Sequence, residues 1–288
     1  MPLADVLRRR NALQQLRKLP GLRWLLRALD FPVWRRVRGT SGPVRVRWLQ
    51  HMSYYLPSHG PEPEISALMI ALVGCLPVRT FLDVGANFGY YTWLLADHAG
   101  SELEIHMFEP DDRNQRLVRR TLQRRGSVGV TFHPIALSAD DGSASFYRDL
   151  DTGHRGSLVH ESNLAGAVLT ETRRLDSVIT SPVALTLVKI DVEGGEEDVL
   201  AGAAGVLETA PVIILECYHR DVDAAWRRVS SLPGYTVYDA MTGGPATPTT
   251  SNFWAVPSSV SDEATTRVLA ERDRLLRLPK LTVGNRTS

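Results

Sequence analysis

Residues 80–96 constrain this chain more than any other stretch. The apolar run Thr80-Phe81-Leu82 leads into Asp83-Val84-Gly85-Ala86-Asn87-Phe88-Gly89, and Tyr90 to Ala96 has a helical pattern. A strand, a glycine turn and a helix with no spare residues between them form the first corner of a parallel α/β sheet. Helix N–H groups there face a ligand at the carboxyl end of a strand. Gly85 and Gly89 let the backbone approach that ligand without interference from a Cβ.

The rest of the chain extends this pattern. Strands are predicted at 80–84, 104–109, 130–136, 185–191, 211–217, 235–239 and 252–256, and helices at 88–98, 111–125, 195–208 and 221–231. Near-continuous apolar runs such as Leu185-Thr186-Leu187-Val188 and Val212-Ile213-Ile214-Leu215 imply strands buried on both faces, hence a mostly parallel sheet covered by helices. Residues 138–182 depart from this, with short polar strands and Gly153, Gly156 and Gly166. They read as an insertion or hairpin region suited to substrate-facing loops.

Upstream, Ile65, Leu68, Met69, Leu72, Val73 and Leu76 trace one helical face. Val44 to Leu49 alternates like an edge strand, and 57–63 reads as a linker. Residues 3–19 and 22–29 carry leucines at helical spacing, broken by Pro20-Gly21, and predict two basic amphipathic helices. We divide the chain into an N-terminal extension (1–62), a ligand-binding catalytic domain (63–257), and a C-terminal helix and tail (258–288).

Charge is uneven. Residues 1–48 hold twelve Arg or Lys against two acids, Asp5 and Asp30, although the whole chain carries a formal +1. That total gives no reason to expect a nucleic-acid partner. The basic extension is compatible with a lid, a dimer arm, or contact of residues 1–38 with the inner face of an anionic membrane. The longest uncharged apolar stretch, Ile65 to Val78, is 14 residues, short of the ~20 that a membrane-spanning helix needs. Cys75 and Cys217 lie in apolar runs and read as buried thiols of a reducing compartment, and the chain reads as cytoplasmic.

The turn is not G-x-G-x-x-G, and an acid stands two residues before its first glycine. Asp83 suits a ligand with an ammonium group better than a pyrophosphate. S-adenosylmethionine has such an amino-acid end. Glu109 closes the second strand twenty residues after Gly89, where a carboxylate accepts hydrogen bonds from ribose hydroxyls. Ala136, in Ile135-Ala136-Leu137, is placed to flank an adenine. Lys189-Ile190-Asp191-Val192-Glu193-Gly194-Gly195 closes the fourth strand. The cofactor-site candidates are therefore Asp83, Gly85, Ala86, Asn87, Gly89, Tyr91, Glu109, Pro110, Ala136 and Asp191. Each also has a plainer reading: turn glycines, a helix N-terminal acid at Glu109, or caps for the 195–208 helix at Asp191 and Glu193.

Asp83 to Thr92, Phe108-Glu109-Pro110, Arg174-Leu175-Asp176-Ser177, Lys189 to Glu196, Val199-Leu200-Ala201-Gly202-Ala203 and Ser251 to Pro257 together resemble the FkbM-type methyltransferases. The resemblance covers roughly residues 78–257. It implies a class I Rossmann-like fold with a seven-stranded sheet, S-adenosylmethionine as donor, and O-methylation. It also implies acceptor hydroxyls on sugars of glycolipids and oligosaccharides, lipid-linked ones included, or on polyketides. A nucleotide-dependent oxidoreductase is a more remote alternative that the missing G-x-G-x-x-G argues against.

Displacement at a sulfonium methyl requires alignment, and a sugar hydroxyl requires a base. Candidates near the fourth and fifth strand ends are Asp191, Glu193, Glu216 and His219, with Asp191 or His219 favoured as the base and Glu193 orienting the acceptor. His154, in the glycine-flanked Asp151-Thr152-Gly153-His154-Arg155-Gly156-Ser157, is a further candidate. Asp191 and Glu193 are compatible with Mg²⁺, but no set of six oxygens is evident and no metal is assigned. Oligomeric state is left open.

Overall fold

The computed structural model describes residues 26, 28–56, 62–126, 129–148, 156–159, 165–180, 185–217 and 222–278. In chain order the elements begin with β1 (Pro32–Arg36), β2 (Pro43–Arg47), α1 (Pro63–Cys75), β3 (Thr80–Val84), α2 (Tyr90–Ala99), β4 (Glu104–Phe108) and α3 (Asp112–Arg125). Next come β5 (Val130–His133), β6 (Ala136–Leu137), β7 (Gly142–Arg148), β8 (Gly156–Ser157), β9 (Ala165–Arg173) and α4 (Leu175–Val178). The chain continues through β10 (Thr186–Ile190), α5 (Glu196–Ala201), α6 (Ala204–Glu208), β11 (Val212–Glu216), α7 (Val222–Ser230), β12 (Tyr235–Asp239), β13 (Asn252–Pro257) and α8 (Asp262–Leu276).

Seven strands form the central sheet in the order β12-β13-β11-β10-β3-β4-β5. Only β13 of the seven runs antiparallel to its neighbours. The expected α/β architecture with a mostly parallel seven-stranded sheet is therefore present. The order reverses between β3 and β10, because the chain grows outward from β3 through β4 and β5 and then returns to β10. Ligands bind at such switch points in open α/β sheets.

Alternation along the strands explains how both faces are covered. Phe81, Leu187 and Ile214 join α1, α2, α3 and α8 in one core, while Leu82, Val188 and Ile213 join α5, α6 and α7 in the other. Successive strand residues point to opposite faces, so one apolar run feeds two cores. Each fully buried aliphatic side chain contributes roughly 1.5–3 kcal/mol relative to exposure.

Several expectations need correction. The third strand stops at His133. Pro134 has no N–H for a ladder, and Ala136–Leu137 turns away into a separate sheet ordered β6-β9-β7-β8. That sheet is the structure within the 138–182 insertion. The helix expected at 195–208 is broken into α5 and α6 at Gly202 and Ala203. A side chain at Gly202 would collide with the Ser138 carbonyl, so the chain must turn there. The edge strand expected over 44–49 is present as β2 and lies outside the main sheet. β2 pairs antiparallel with β1 in a two-stranded hairpin, whose Val44 and Val46 are buried and whose Arg45 N–H donates to Thr121 Oγ1 of α3 at 3.0 Å.

Of the expected basic helices, only residues 26, 28 and 29 are described, and these are helical. The remainder lies outside the described residues. Cys217 is buried but Cys75 is partly exposed, contrary to its reading as a core thiol, because α1 ends there. Among the described residues no helix is long and apolar enough to cross a membrane.

Candidate functional site

The turn after β3 is shaped by backbone hydrogen bonds. Gly85 and Ala86 N–H groups donate to the Phe108 carbonyl at 3.1 and 2.9 Å, and Gly89 N–H to Ala86 O at 2.7 Å. Gly85 has φ +80 and Gly89 φ +87, in the left-handed region that favours glycine. A Cβ at Gly85 would overlap the Asp191 carbonyl oxygen, and one at Gly89 would meet Trp93 Nε1 at 2.7 Å. Asn87 also has positive φ, at 55, a conformation its short polar side chain tolerates.

Two carboxylates frame this turn. Asp83 is 2 % exposed, and its Oδ2 accepts from Thr92 N–H at 3.1 Å and Thr92 Oγ1 at 2.7 Å. It is thereby tied to the first turn of α2, where the helix dipole favours a negative charge. Burial raises its pKa, opposed by the Lys189 charge and the two Thr92 bonds. Glu109 is 5 % exposed. Its Oε2 accepts from Asn87 N–H and its Oε1 from Asp111 N–H, both at 2.7 Å. Burial pushes Glu109 up to about 8, the Asp111 charge adding and the backbone donors opposing.

A single cavity lies between these groups and the β10 end. Its lining includes every cofactor-site candidate except Gly89: Asp83, Gly85, Ala86, Asn87, Tyr91, Glu109, Pro110, Ala136 and Asp191. Gly89 acts one layer behind, by admitting Trp93 and Met107. Glu193 also lines the cavity, with φ 58. Asp191 does not cap the following helix, its Oδ2 being taken by Lys189 Nζ at 2.9 Å. The N-cap of that helix is Gly195 with no side-chain bond, and Glu196 Oε1 accepts from Gly194 N–H at 2.9 Å. His154 and His219 lie outside the described residues.

Sequence reasoning missed three contributors. Lys189 stands in register opposite Asp83 on the adjacent strand and is only 2 % exposed. Its Nζ lies 2.9 Å from Asp191 Oδ2, 3.8 Å from Glu216 Oε2 and 4.7 Å from the Tyr91 ring centroid. Burial alone would lower the lysine's pKa, but the carboxylates of Asp191, Glu216, Asp83 and Glu62 outweigh it and hold the ammonium charged. Glu216 is pushed up to about 9 by Asp191 first and burial second, with Lys189 opposing. One lysine in the otherwise apolar Thr-Leu-Val-Lys-Ile run was the available signal.

The second is Tyr54, carried by a 3₁₀ turn at Met52–Tyr54 that follows the hairpin. His51 stacks on Phe88 at 4.3 Å and Tyr54 meets Phe88 edge-on at 4.8 Å, seating this turn on the glycine corner. The third is the apolar pair Phe146 and Leu158, which the insertion sheet adds to the lining. Nothing local in the sequence ties residue 54 or 146 to residue 85.

Other recognisable motif residues serve the frame. Asp176 Oδ1 and Oδ2 accept from Val206 and Gly205 N–H groups, each at 3.0 Å, at the start of α6. Among the described residues no group of three or more His, Cys, Asp or Glu is arranged to hold a metal ion.

The model of the methyltransferase FkbM domain matches residues 83–241. No curated protein matches. Among solved structures, the methyltransferase FkbM from Methylobacillus flagellatus KT is similar at 19% identity and a TM-score of 0.44. That alignment covers 65% of this chain and 47% of that one, so the chain spans about half that protein's length. A putative O-methyltransferase from Klebsiella pneumoniae aligns at 18% identity and TM-score 0.44, over 72% of this chain and 86% of its own. Cofactor-bound Rv0187 from MTB aligns at 16% identity and TM-score 0.41, over 73% and 86%.

Proposed function

Since this chain belongs to the FkbM methyltransferase family, we propose that it moves a methyl group from S-adenosylmethionine to a hydroxyl oxygen of a sugar, in a glycolipid, oligosaccharide or polysaccharide. The observation that carries the donor assignment is the pair Asp83 and Glu109. Two buried carboxylates end adjacent parallel strands and open, with the glycine turn between them, on one cavity.

The residues present fit such a donor. The Gly85 cradle would be filled by any Cβ, and Asn87 Oδ1 is buried without a partner in the cavity wall. Glu109, with each oxygen already fixed by a backbone N–H, keeps lone pairs for ribose hydroxyls. Pro110 and Ala136 flank the purine. Asp83 offers negative charge to an amino-acid ammonium beside the α2 N-terminus. When bound, S-adenosylmethionine supplies a methyl group on a positively charged sulfur.

Asp191 takes the hydroxyl proton at its carboxylate and Glu193 orients the acceptor by accepting a neighbouring hydroxyl, with His219 and His154 as further candidates. Lys189 holds one Asp191 oxygen and so fixes the direction of the other. Family acceptors and the carboxylate-rich wall support a polyhydroxylated acceptor over an anionic one. We place the reaction in the cytoplasm, with residues 1–38 meeting the inner membrane face. The exposed Leu29 and Phe31 support that contact.

Calorimetric titration with S-adenosylmethionine tests the site. Asp83→Ala and Glu109→Ala should each weaken binding at least a hundredfold, and wild-type affinity in both would sink the assignment. Transfer of labelled methyl to glycan but not polyketide alcohols tests the acceptor class, and the reverse pattern would overturn it.

A further inference from the structure

Six aromatic side chains line the cavity, and four of them pack together: Tyr54, Phe88, Tyr90 and Tyr91. They form a continuous cluster, with centroids 4.8 Å apart for Tyr54–Phe88, 4.9 Å for Tyr54–Tyr90 and 5.0 Å for Tyr90–Tyr91. One member already holds a cation, because Lys189 Nζ sits 4.7 Å from the Tyr91 centroid. Among the described lining residues Lys189 is the only cation, against the carboxyl groups of Asp111, Asp191 and Glu193, with those of Asp83 and Glu109 raised by burial. An aromatic wall within an excess of carboxylates attracts a positive ligand group, through ring quadrupoles at short range and through the summed field at longer range.

We propose that this wall recognises the positive sulfur of the donor, so that the site discriminates the sulfonium from the neutral thioether left after transfer, with Tyr54 as a specificity-determining residue. The inference rests on the S-adenosylmethionine reading above. In the transfer the C–S bond breaks, a C–O bond forms, the electron pair stays on sulfur, and the hydroxyl proton passes to the base. The product therefore loses the charge that the wall attracts, and its release is favoured. Tyr54 precedes the matched domain, which begins at residue 83, so the extension adds one ring to a wall whose other three, Phe88, Tyr90 and Tyr91, lie within that domain.

The alternative is that the rings are ordinary core packing, indifferent to charge at sulfur. Calorimetry on the full-length protein separates the two, using S-adenosylmethionine, S-adenosylhomocysteine and a non-reactive analogue with a protonated amine at the sulfonium position. A desolvated cation–π contribution corresponds to roughly tenfold or more in affinity. Both cationic ligands should therefore bind about tenfold more tightly than the thioether. Tyr54→Phe keeps the ring and should keep that ratio. Tyr54→Leu keeps bulk without a π-face and should shrink it about threefold. Equal affinity for all three ligands, or tighter binding of the thioether, would overturn the proposal, as would an unchanged ratio in a folded Tyr54→Leu. If Tyr54→Leu does not fold, the wild-type ratio alone decides. Absence of binding by all three would instead overturn the donor reading on which it rests.

Discussion

The two ends of the cavity are built by different means. At the β3–β4 end the wall is backbone: a glycine turn bonded to the Phe108 carbonyl, and a glutamate held by two peptide N–H groups. At the β10–β11 end the wall is side-chain charge: a buried lysine among Asp191, Glu216, Asp83 and Glu62, with the Tyr91 ring against its ammonium. A backbone-built wall tolerates no added atoms, and the proton it can lose is that of Glu109. A charge-built wall tolerates isosteric change but shifts with every proton. Substitutions at each end should therefore fail in different ways.

The largest effect is expected at the backbone end. Gly85→Ala would force a Cβ into the Asp191 carbonyl at a φ of +80. Relief requires β3 and β10 to separate at the switch point. We expect a loss of more than about 3 kcal/mol, combining backbone strain with overpacking. Denaturant unfolding measures it. A loss below ~1 kcal/mol would show that the turn is softer than its hydrogen bonds imply, and would erase the contrast between the two ends.

The difference between the walls also decides what could be read from sequence. Strands 80–84 and 235–239 were legible to the residue, because each is rich in β-branched and aromatic side chains and is bounded by a turn glycine, Gly85 after the first and Gly234 before the second. The glycine corner and Glu109 were legible because a backbone-built site leaves its mark in glycines and in fixed spacing. Lys189 was visible as an oddity in an apolar strand, yet its role depends on Glu216 and Glu62, which no local pattern connects to it. Tyr54 was illegible for the same reason. β1 escaped notice because Pro-Val-Trp-Arg-Arg does not alternate, its arginine and tryptophan surfaces being covered by cation–π contacts such as Arg45 and Arg124 on Trp34. The break at Gly202 was hidden because a close approach to Ser138 is a tertiary event.

Both ends carry a carboxyl group that responds to pH, Glu109 in the backbone wall and Glu216 in the charge wall. Glu109 and Glu216 have folded pKa values raised to about 8 and about 9, from an ordinary value of 4.5. The folded state therefore binds more protons than the unfolded chain between roughly pH 4.5 and 9. The stability these groups contribute is complete below the unfolded value and is lost as pH rises through the folded one. Without ligand, the protein should lose stability from pH 6 to pH 9. Glu216→Gln removes one of these protons, leaving a neutral amide beside Asp191. The loss across that interval should shrink by about 1–2 kcal/mol, a figure reduced because Glu216 is partly open to solvent. Chemical unfolding at the two pH values measures it. An unchanged difference would mean that Asp191 and Lys189 settle the local charge without Glu216.

The smallest effect is the control that keeps the comparison meaningful. Asp176 lies within a motif that resembles the family pattern as closely as Asp83 does, yet it is absent from the cavity lining. Its two oxygens accept from the Gly205 and Val206 N–H groups, two of the orphan donors at the start of α6. Removing a side-chain cap of this kind costs about 1 kcal/mol. Asp176→Ala should therefore lower unfolding stability by that amount while S-adenosylmethionine affinity, measured well below the unfolding transition, stays within twofold of wild type. A tenfold loss of affinity would mean that α6 and the β10 end move together. The cavity would then reach beyond its two walls, and a motif residue read as framework would belong to the site.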